Sequence, residues 1–548
     1  MRTESRFGVF FTRRSGRRGL LMLLLLTCAG AAVAQISKTV GVPGAVSPHF
    51  RMIALDPSFD PNAPVGGVPF CFSGSLGTVL CNPPSFLKKA YHFPRSDGEG
   101  GHNGEGSTVV IVDAFGSPTI QSDLNKFIAT FNLPAATVDV RCGPTWSGAA
   151  TDNCPVKTIA DLQNAPNASL CGATGWAEET TLDVTMVHAL APRAKIVLVV
   201  ANDCLDQDIT AAEAAVVAQE SLRGSVMSQS FGEAEDFVGC NAVNQNLQCT
   251  SFDPTIQANA DAAYQTATNH KWTIIASSGD DGANEDAREN GTGELTPGWP
   301  ASNPLNLAAG GTQGQPYGGQ YGPPPGKGGT FSCPAETNCN TGLVIINGGE
   351  NGCGTAARPG VPSSCTPVGY GGEAAWNEFN TFGLGTSTGG GVSALYGRPR
   401  FQRHLPDEFD TLLGAEVEAT GRLNPDVAFN SSIHGGVLAF LGFLNGGNGL
   451  WGVFGGTSAS SPAWAAIIAL VNQAHGGPVG YITPRIYSLR GMGVSPFHDI
   501  RIGNNSDTDG QFGVDGYLAQ RGYDLTTGEG TPNVSEFIQV MSELSNGE

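Results

Sequence analysis

Residues 455–462 read Gly-Gly-Thr-Ser-Ala-Ser-Ser-Pro, and the apolar run Ala-Trp-Ala-Ala-Ile-Ile-Ala-Leu follows them at 463–470. The two glycines permit a tight turn, and the apolar run predicts a buried helix that begins near Ser458. A serine at the N-terminus of a helix lies among free N–H groups that stabilise developing negative charge. The stretch therefore predicts a nucleophilic serine. The alternative is a Ser/Thr cap over a core helix, with Pro462 in its first turn.

The beginning of the chain has the pattern of an export signal. Six arginines lie between Arg2 and Arg18, an apolar run follows over 20–26, and Ala32-Val33-Ala34 ends it. This order predicts a secretory signal peptide over residues 1–34, cleaved after Ala34. A membrane anchor is the alternative, but the apolar stretch is shorter than the ~20 residues that a span needs. We therefore expect a secreted protein, extracellular or periplasmic, with no membrane contact in its mature form.

The charge of the remaining chain argues against nucleic acid as a partner. The 548 residues include 29 basic and 49 acidic ones, and residues 1–34 hold six arginines and one glutamate. Without them 23 basic and 48 acidic residues remain, a net charge of −25 with neutral histidines. A surface this acidic repels phosphate backbones and is compatible with an acidic medium.

Twelve cysteines lie beyond the predicted signal peptide, and an even count in an exported chain predicts disulfides. Spacing favours the pairs Cys71–Cys81, Cys240–Cys249, Cys333–Cys339 and Cys353–Cys365. The pairing of the other four, Cys142, Cys154, Cys171 and Cys204, stays open. A zinc site is the alternative, but neither a C-x-x-C pair nor a matching histidine cluster supports it.

Strand and helix patterns alternate along the chain. Apolar, β-branched runs predict buried strands over 107–113, 194–201, 226–230 and 272–276, and helices are predicted over 117–131, 211–219 and 261–268. This order predicts an α/β fold with a doubly wound, mostly parallel central sheet flanked by helices. Residues 313–372 are rich in Gly, Pro and Cys and predict an irregular insertion stapled by disulfides.

The Gly-Thr-Ser-x-x-x-Pro pattern around Ser458 resembles the signature of the subtilisin-like peptidase fold, which is shared by subtilisins (Ser-His-Asp) and sedolisins (Ser-Glu-Asp). Asp113 could serve as the aspartate of a subtilisin, but the glycine- and threonine-flanked histidine that a subtilisin needs is missing, and His188 is more typical of a structural residue. In its place Glu179 and Asp183 stand four residues apart on one predicted helix face. A pair of solvated acids is the alternative for that helix considered alone.

Together with Ser278-Gly279-Asp280-Asp281-Gly282, these residues resemble the sedolisin family of serine-carboxyl peptidases from about residue 86 to 540. The resemblance implies a subtilisin-like fold in which Glu179 is the base for Ser458 and Asp183 orients it. It also implies that Asp280, rather than Asp281, is protonated and donates a hydrogen bond in the oxyanion hole. A carboxylate titrates near ~4 and still accepts a proton at about pH 4, where histidine is protonated.

The same resemblance implies one calcium ion near the C-terminus. Two carboxylates and three main-chain carbonyls would supply hard oxygen ligands. The residues carried over are Asp499, Ile500, Gln520, Gly522 and Asp524. The family has a glycine where Gln520 stands, which makes Gln520 the departure from the pattern.

Sedolisins commonly carry a folded prosegment of well over a hundred residues, whereas only about 50 residues separate Ala34 from the predicted peptidase domain at 86–542. Two hypotheses follow for residues 35–85. Either the enzyme matures without an inhibitory prodomain, or this extension is a vestige that adds a strap to the core.

The sequence as a whole predicts a secreted, monomeric endopeptidase that acts on peptide or protein substrates, with activity highest at roughly pH 3–5. Two alternatives stay open. One is a tripeptidyl-peptidase of the same family, and the other is a catalytically silent binding protein on this scaffold.

Overall fold

The computed structural model describes residues 43–61, 70–73, 77–95, 101–143, 153–243, 249–285, 294–314, 370, 372–378, 385–433, 435–506 and 514–545. The predicted signal peptide, nearly all of the insertion 313–372 and the pairs Cys333–Cys339 and Cys353–Cys365 lie outside the described residues. The domain boundaries at 35–85 and 86–542 stay predictions.

The helices of the described residues are α1 (Pro84–Ala90), α2 (Ile120–Phe131), α3 (Asp161–Asn164), α4 (Ala168–Cys171), α5 (Ala173–Leu190), α6 (Asp206–Val217), α7 (Pro254–Asn269), α8 (Thr457–His475), α9 (Thr483–Met492) and α10 (Val534–Ser545). The strands are β1 (Ser47–Pro48), β2 (Arg51–Ala54), β3 (Phe70–Ser73), β4 (Gly77–Asn82), β5 (Thr108–Ala114), β6 (Val138–Cys142), β7 (Lys195–Ala201), β8 (Val226–Gln229), β9 (Phe231–Ala234), β10 (Cys240–Val243), β11 (Cys249–Phe252), β12 (Thr273–Ser277), β13 (Gly298–Trp299), β14 (Leu307–Gln313), β15 (Ala374–Ala375), β16 (Gly391–Gly397), β17 (Glu408–Asp410), β18 (Glu416–Glu418), β19 (Gly421–Asn424), β20 (Val427–Asn430), β21 (Gly436–Leu441), β22 (Leu450–Gly455), β23 (Phe497–His498) and β24 (Thr531–Pro532).

The central sheet confirms the predicted fold class. Its strands lie in the order β15-β14-β12-β8-β5-β7-β6, with β20 beside β14. Every pairing is parallel except that between β14 and β15. Its inner strands are buried on both faces, which explains why their sequences are apolar throughout rather than alternating.

Two buried helices, α5 and α8, pack beside this sheet and carry predicted catalytic residues. Helix α8 packs against strands β8, β12, β14 and β20 and against helix α5. Residues on every side of α5 are buried, including its carboxyl and hydroxyl side chains. Because α5 has no face exposed to solvent, its sequence does not divide into the apolar and polar faces of an amphipathic helix.

Three helices begin at other residues than predicted. Helix α2 begins at Ile120 rather than 117. Helix α6 begins at Asp206 rather than 211, and α7 begins at Pro254 rather than 261. The first turns of both helices carry polar residues, so apolar periodicity starts later than the helix itself. Asp253 caps α7 by accepting from the Thr255 N–H at 2.9 Å, and Pro254 occupies its first turn.

A second sheet, ordered β2-β22-β21-β4-β3, holds the strand that leads into α8. Strand β2 comes from the N-terminal extension and pairs antiparallel with β22. In a small sheet, β1-β9-β13, strand β1 of the same extension pairs with β9, which directly follows β8 in the chain. The extension is thus integrated into the fold on both sides of α8's N-terminus.

Four disulfides are formed among the described residues. Cys71–Cys81 and Cys240–Cys249 are confirmed, and the pairs left open are Cys142–Cys154 and Cys171–Cys204. Across the described part of the chain, no helix combines the length and apolar character that crossing a membrane requires.

Candidate active site

The predicted nucleophile lies in a sharp turn between β22 and α8. Ser458 is fully buried in the first turn of α8, and its N–H donates to the His49 carbonyl oxygen at 2.9 Å. Gly456, just before the helix, has a φ of 113°, and a Cβ there would lie 2.2 Å from that same oxygen. Only glycine therefore lets the backbone turn this closely past residue 49.

Helix α5 brings a carboxyl group to the serine. The Ser458 hydroxyl lies 2.8 Å from Glu179 Oε2, to which it donates, and 3.0 Å from the Ser230 carbonyl oxygen. Asp183 lies one turn further along α5, and both carboxyl groups are fully buried. The arrangement brings together a hydroxyl, a proton acceptor and a second carboxyl group, which is the geometry that nucleophilic catalysis requires.

Asp113 is a third carboxyl group in this cluster, and the sequence interpretation did not place it there. It lies near the end of β5 and is fully buried. Burial raises the pKa of Asp113 well above its usual range, and the nearby charge of Asp183 raises it further. Its position at the carboxyl end of a central parallel strand was the signal available in the sequence.

The three carboxyl groups affect one another's titration. Burial raises the pKa of Glu179, and the charges of Asp183 and Asp113 raise it further, while the Ser458 hydrogen bond opposes this. Burial also raises the pKa of Asp183 to about 8, although the neighbouring Ser230 and Glu179 side chains lower it in part. The cluster therefore holds protons in common and titrates as a unit.

Asp280 lies beside the nucleophile turn, in the loop after β12. Its Oδ1 accepts from the Thr457 N–H at 2.8 Å and lies 3.0 Å from the Thr457 hydroxyl. A Cβ at Gly456 would lie 2.7 Å from Asp280 Oδ2. The Arg51 guanidinium lies between the two aspartates, 3.3 Å from Asp281 Oδ1 and 3.8 Å from Asp280 Oδ2.

Residues 44–54, which we call the cleft segment, run through this site as an extended chain. On one side Val46 N–H donates to the Cys204 carbonyl at 3.0 Å, and Asp206 N–H donates to the Gly44 carbonyl at 3.2 Å. On the other side β1 pairs antiparallel with β9. The first half of the cleft segment is therefore an inserted strand with neighbours on both edges.

The second half of the cleft segment passes the nucleophile and continues beyond it. His49 N–H donates to the Ser230 carbonyl at 3.2 Å, while the His49 carbonyl accepts from Ser458 N–H. The His49 ring Nδ1 lies 2.8 Å from the Ser277 hydroxyl. After residue 50, β2 pairs with β22, the strand that ends at the nucleophile turn. His49 was not singled out because the sequence around it shows little periodicity. Ser230 was not singled out because it acts here through its backbone carbonyl, which carries no sequence signal.

His188 does not contact the serine. It lies nine residues after Glu179 on α5, or about 13.5 Å along the helix axis. It is buried, and burial lowers its pKa to about 4. The structural role predicted for it agrees with this position.

The predicted calcium ligands lie around two loops near the C-terminus. Asp499 Oδ1 accepts from the Gly522 N–H at 2.9 Å, and Asp524 Oδ2 accepts from the Gln520 N–H at 3.1 Å. Asp499 also forms an ion pair with Arg501 at 2.7 Å. Both carboxylates thus converge on residues 520–522, next to the carbonyls that were predicted as ligands.

The chemistry of these groups fits a hard cation. Asp524 is fully buried, and the hydrogen bonds that it accepts come from neutral N–H and O–H groups. Among the described residues no cationic side chain pairs with it, so a cation would offset its charge. No cluster of three or more His, Cys, Asp or Glu suited to a metal occurs in the described part of the chain. Calcium binding stays a prediction.

A buried serine at a helix N-terminus, an acidic partner on the neighbouring helix and a parallel α/β sheet define a serine peptidase scaffold. The subtilase family matches residues 166–485, more than half of the chain, and the chain belongs to this family. The resemblance to sedolisins is also confirmed. The chain is 27% identical over 458 residues to kumamolisin of Bacillus sp. strain MN-32, covering 84% of this chain and 63% of that protein.

Two further comparisons agree. The chain is 26% identical over 343 residues to sedolisin of Pseudomonas sp. strain 101, covering 60% of this chain and 46% of that protein. It therefore spans less than two thirds of the length of both relatives. The structure of Pseudomonas sedolisin, a serine-carboxyl proteinase complexed with two molecules of pseudo-iodotyrostatin, aligns with a TM-score of 0.59 at 22% identity. That alignment covers 86% of this chain and all of that one, and it supports the fold.

Proposed function

We propose that this protein is a secreted, acid-active serine-carboxyl endopeptidase in which Ser458, Glu179 and Asp183 form the catalytic triad. The observation that carries the proposal is the 2.8 Å hydrogen bond from the Ser458 hydroxyl to Glu179 Oε2. A base at this distance accepts the serine proton directly as the oxygen attacks. Asp183 holds Glu179 in place and shares its proton through the common titration of the pair.

The reaction proceeds in two balanced halves. Ser458 Oγ attacks the substrate carbonyl carbon while its proton passes to Glu179, and Glu179 then gives that proton to the leaving amine. The C–N bond breaks and an acyl-enzyme remains. Water then repeats the sequence in the second half, which releases the new carboxyl group and restores the serine.

The oxyanion that forms in each half is stabilised by two donors in this proposal. The Ser458 N–H already lies 2.9 Å from a carbonyl oxygen, within the range expected of an oxyanion hole donor. A protonated Asp280 is the second donor, since its carboxyl group lies at the same turn. A carboxyl group must carry a proton to donate, so this role favours acidic pH.

The course of the cleft segment favours an endopeptidase over a tripeptidyl-peptidase. Five residues, 44–48, precede residue 49 in extended pairing, and β2 continues beyond it. With residue 49 taken as the residue before the scissile bond, a cleft that ended after three residues would leave no room for Gly44, Ala45 and Val46. The four disulfides support secretion, because such bonds persist in oxidising compartments. In the same proposal one calcium ion, held at Asp499 and Asp524, stabilises the C-terminal loops.

Hydrolysis of an internally quenched peptide from pH 3 to 7 tests the function. We expect Ser458→Ala to lose hydrolysis and the matched variant Ser460→Ala, two residues along the same helix, to retain it. Mass spectrometry of the products should show internal cuts rather than serial release of tripeptides. Persistence of hydrolysis in purified Ser458→Ala would overturn the proposal.

A further inference from the structure

The loop that carries Asp280 is held in place by a residue from the C-terminal part of the chain. We propose that Asn505 is a positioning residue for this loop, and that it thereby directs the Asp280 carboxyl group toward the oxyanion. The inference rests on the proposed function, because Asp280 is the second oxyanion donor of the same reaction. Asn505 acts through Asp280 and is not itself a catalytic residue.

The oxyanion loop, residues 278–283, is paired with a second segment, residues 386–389, which we call the bracing segment. The Asp280 carbonyl oxygen accepts from the Ser387 N–H at 2.9 Å, and the Gly282 N–H donates to the Ser387 carbonyl oxygen at 3.1 Å. Two backbone groups of the oxyanion loop are therefore bonded to one residue of the bracing segment. Because the side chain of Asp280 starts from this backbone, its direction depends on where the bracing segment lies.

Asn505 is fully buried and bonds to both of these segments. Its carbonyl oxygen accepts from the Ala283 N–H at 3.1 Å, at the end of the oxyanion loop. Its side-chain amide donates to the Thr388 carbonyl oxygen at 3.1 Å, in the bracing segment. One residue thus joins the two segments whose pairing holds Asp280.

The position of Asn505 is in turn fixed by Tyr517, which is also buried. The Asn505 N–H donates to the Tyr517 carbonyl oxygen at 3.1 Å, and Asn505 Oδ1 accepts from the Tyr517 N–H at 2.8 Å. The side-chain amide is therefore bonded through both its oxygen and its nitrogen. A buried side chain that is satisfied in this way keeps one orientation, which is what a positioning role requires.

Glycines on two sides let the chain approach Asn505 this closely. A Cβ at Gly282, in the oxyanion loop, would lie 2.5 Å from the Asn505 carbonyl oxygen, and a Cβ at Gly516 would lie 2.7 Å from Asn505 Oδ1. Gly282 also has a φ of 77°, in the left-handed region. A side chain at either position would displace Asn505 from its hydrogen bonds, so these contacts depend on a close fit of the backbone.

The chemistry needs this precision at Asp280. Its Oδ1 lies 2.8 Å from the Thr457 N–H, directly before the nucleophile, and a donor to the oxyanion must lie within roughly 2.7–3.1 Å of it. A loop displaced by about 1 Å would leave that range. Because the oxyanion forms only as the reaction proceeds, we expect such a displacement to lower kcat and to change KM little.

The test uses the purified full chain, with kcat and KM measured on the internally quenched peptide at the pH optimum. We expect Asn505→Ala to lower kcat by about 10- to 100-fold and to leave KM within about twofold. Asn472→Ala is the matched control and should keep kcat. It also removes a buried amide, which accepts from the Val479 N–H at 2.9 Å, but it lies about 21 Å from Ser458 along α8.

A double-mutant cycle with Asp280→Ala separates positioning from a general structural effect. If Asn505 acts through Asp280, adding Asn505→Ala to Asp280→Ala should lower kcat by less than about twofold. Its effect on the melting temperature should remain, because the hydrogen bonds to Thr388 and Tyr517 are lost in either background. The same fold loss of kcat in both backgrounds would overturn the inference.

Asn505→Asp carries the test if Asn505→Ala does not fold, because it keeps the shape of the side chain and the acceptor for Tyr517. Its protonated carboxyl group donates to Thr388 as the amide does, and its carboxylate does not. We therefore expect its kcat, relative to wild type, to fall as pH rises from 3 to 7.

Two results distinguish failure of the inference from failure of the proposed function. A kcat equal to that of the wild type in folded Asn505→Ala, or in Asn505→Asp at every pH, would refute the positioning role and leave the proposed function standing. A wild type that hydrolyses no peptide at any pH would refute both.

Discussion

Glu179→Gln is the most direct test of the proposed base. The Ser458 hydroxyl has two acceptors, Glu179 Oε2 at 2.8 Å and the Ser230 carbonyl at 3.0 Å, and only the first is basic enough to take its proton. Asp183 lies about 6 Å further along the helix axis and His188 about 13.5 Å. Because neither replaces Glu179 at the serine, the loss should approach that of a whole triad.

We therefore expect kcat/KM to fall by roughly 10⁴–10⁶-fold, equivalent to about 5–8 kcal/mol of transition-state stabilisation. Glu178→Gln is the matched control, since it removes the adjacent buried carboxyl group on the same helix. The Ser458→Ala, Glu179→Gln double variant should lose little more than either single one. Near wild-type turnover in a folded Glu179→Gln protein, at its own pH optimum, would refute the proposed base.

Four other perturbations have expected outcomes. Asp113→Asn removes a charge that raises the pKa of Glu179, so the acid limb of the kcat/KM profile should move to lower pH; an unmoved limb would exclude Asp113 from the titrating cluster. Asp280→Asn supplies a donor that needs no proton, so the alkaline limb should move to higher pH if Asp280 sets it. Excess chelator near pH 6, or Asp499→Ala, should lower the melting temperature, and an unchanged value would argue against the calcium site. Burial raises the pKa of Glu213 to about 8. The protonated carboxyl group therefore contributes fully to stability below its unfolded pKa of about 4.5, and this contribution is lost as the pH rises to 8. Between these pH values the free energy of unfolding of Glu213→Gln, measured with denaturant, should fall by up to about 5 kcal/mol less than that of the wild type.

The nucleophile turn and the α5 pair could be predicted because their geometry is local. A glycine pair before an apolar run specifies a strand-turn-helix connection, and residues 179 and 183 share a helix face whatever surrounds them. The buried strands were equally visible, since both faces of the central sheet are covered and their sequences are apolar throughout. Two of the disulfides followed from close spacing in the chain.

The contacts around His49 could not be predicted from local pattern. Its partners are Ser230, Ser277 and Ser458, which lie 181 or more residues away in the chain. The backbone groups of the cleft segment make most of these contacts, and backbone groups carry no sequence signal. Asp113 is similar, since an aspartate that ends a strand becomes part of a carboxyl cluster only when α5 is packed over that strand.

The placement of the cleft segment joins the two hypotheses that the sequence left open for residues 35–85. Residues 204–206 and β9 lie on either side of a strand-wide space, and their backbone groups pair with the extended chain that occupies it. The chain fills that space with its own residues 44–48, while residues 51–54 belong to the sheet of β22. The segment is therefore a strap on the side of β2, and on the side of β1 it lies as an extended strand beside the nucleophile turn. The two parts of the segment meet at His49, whose carbonyl oxygen accepts from the Ser458 N–H.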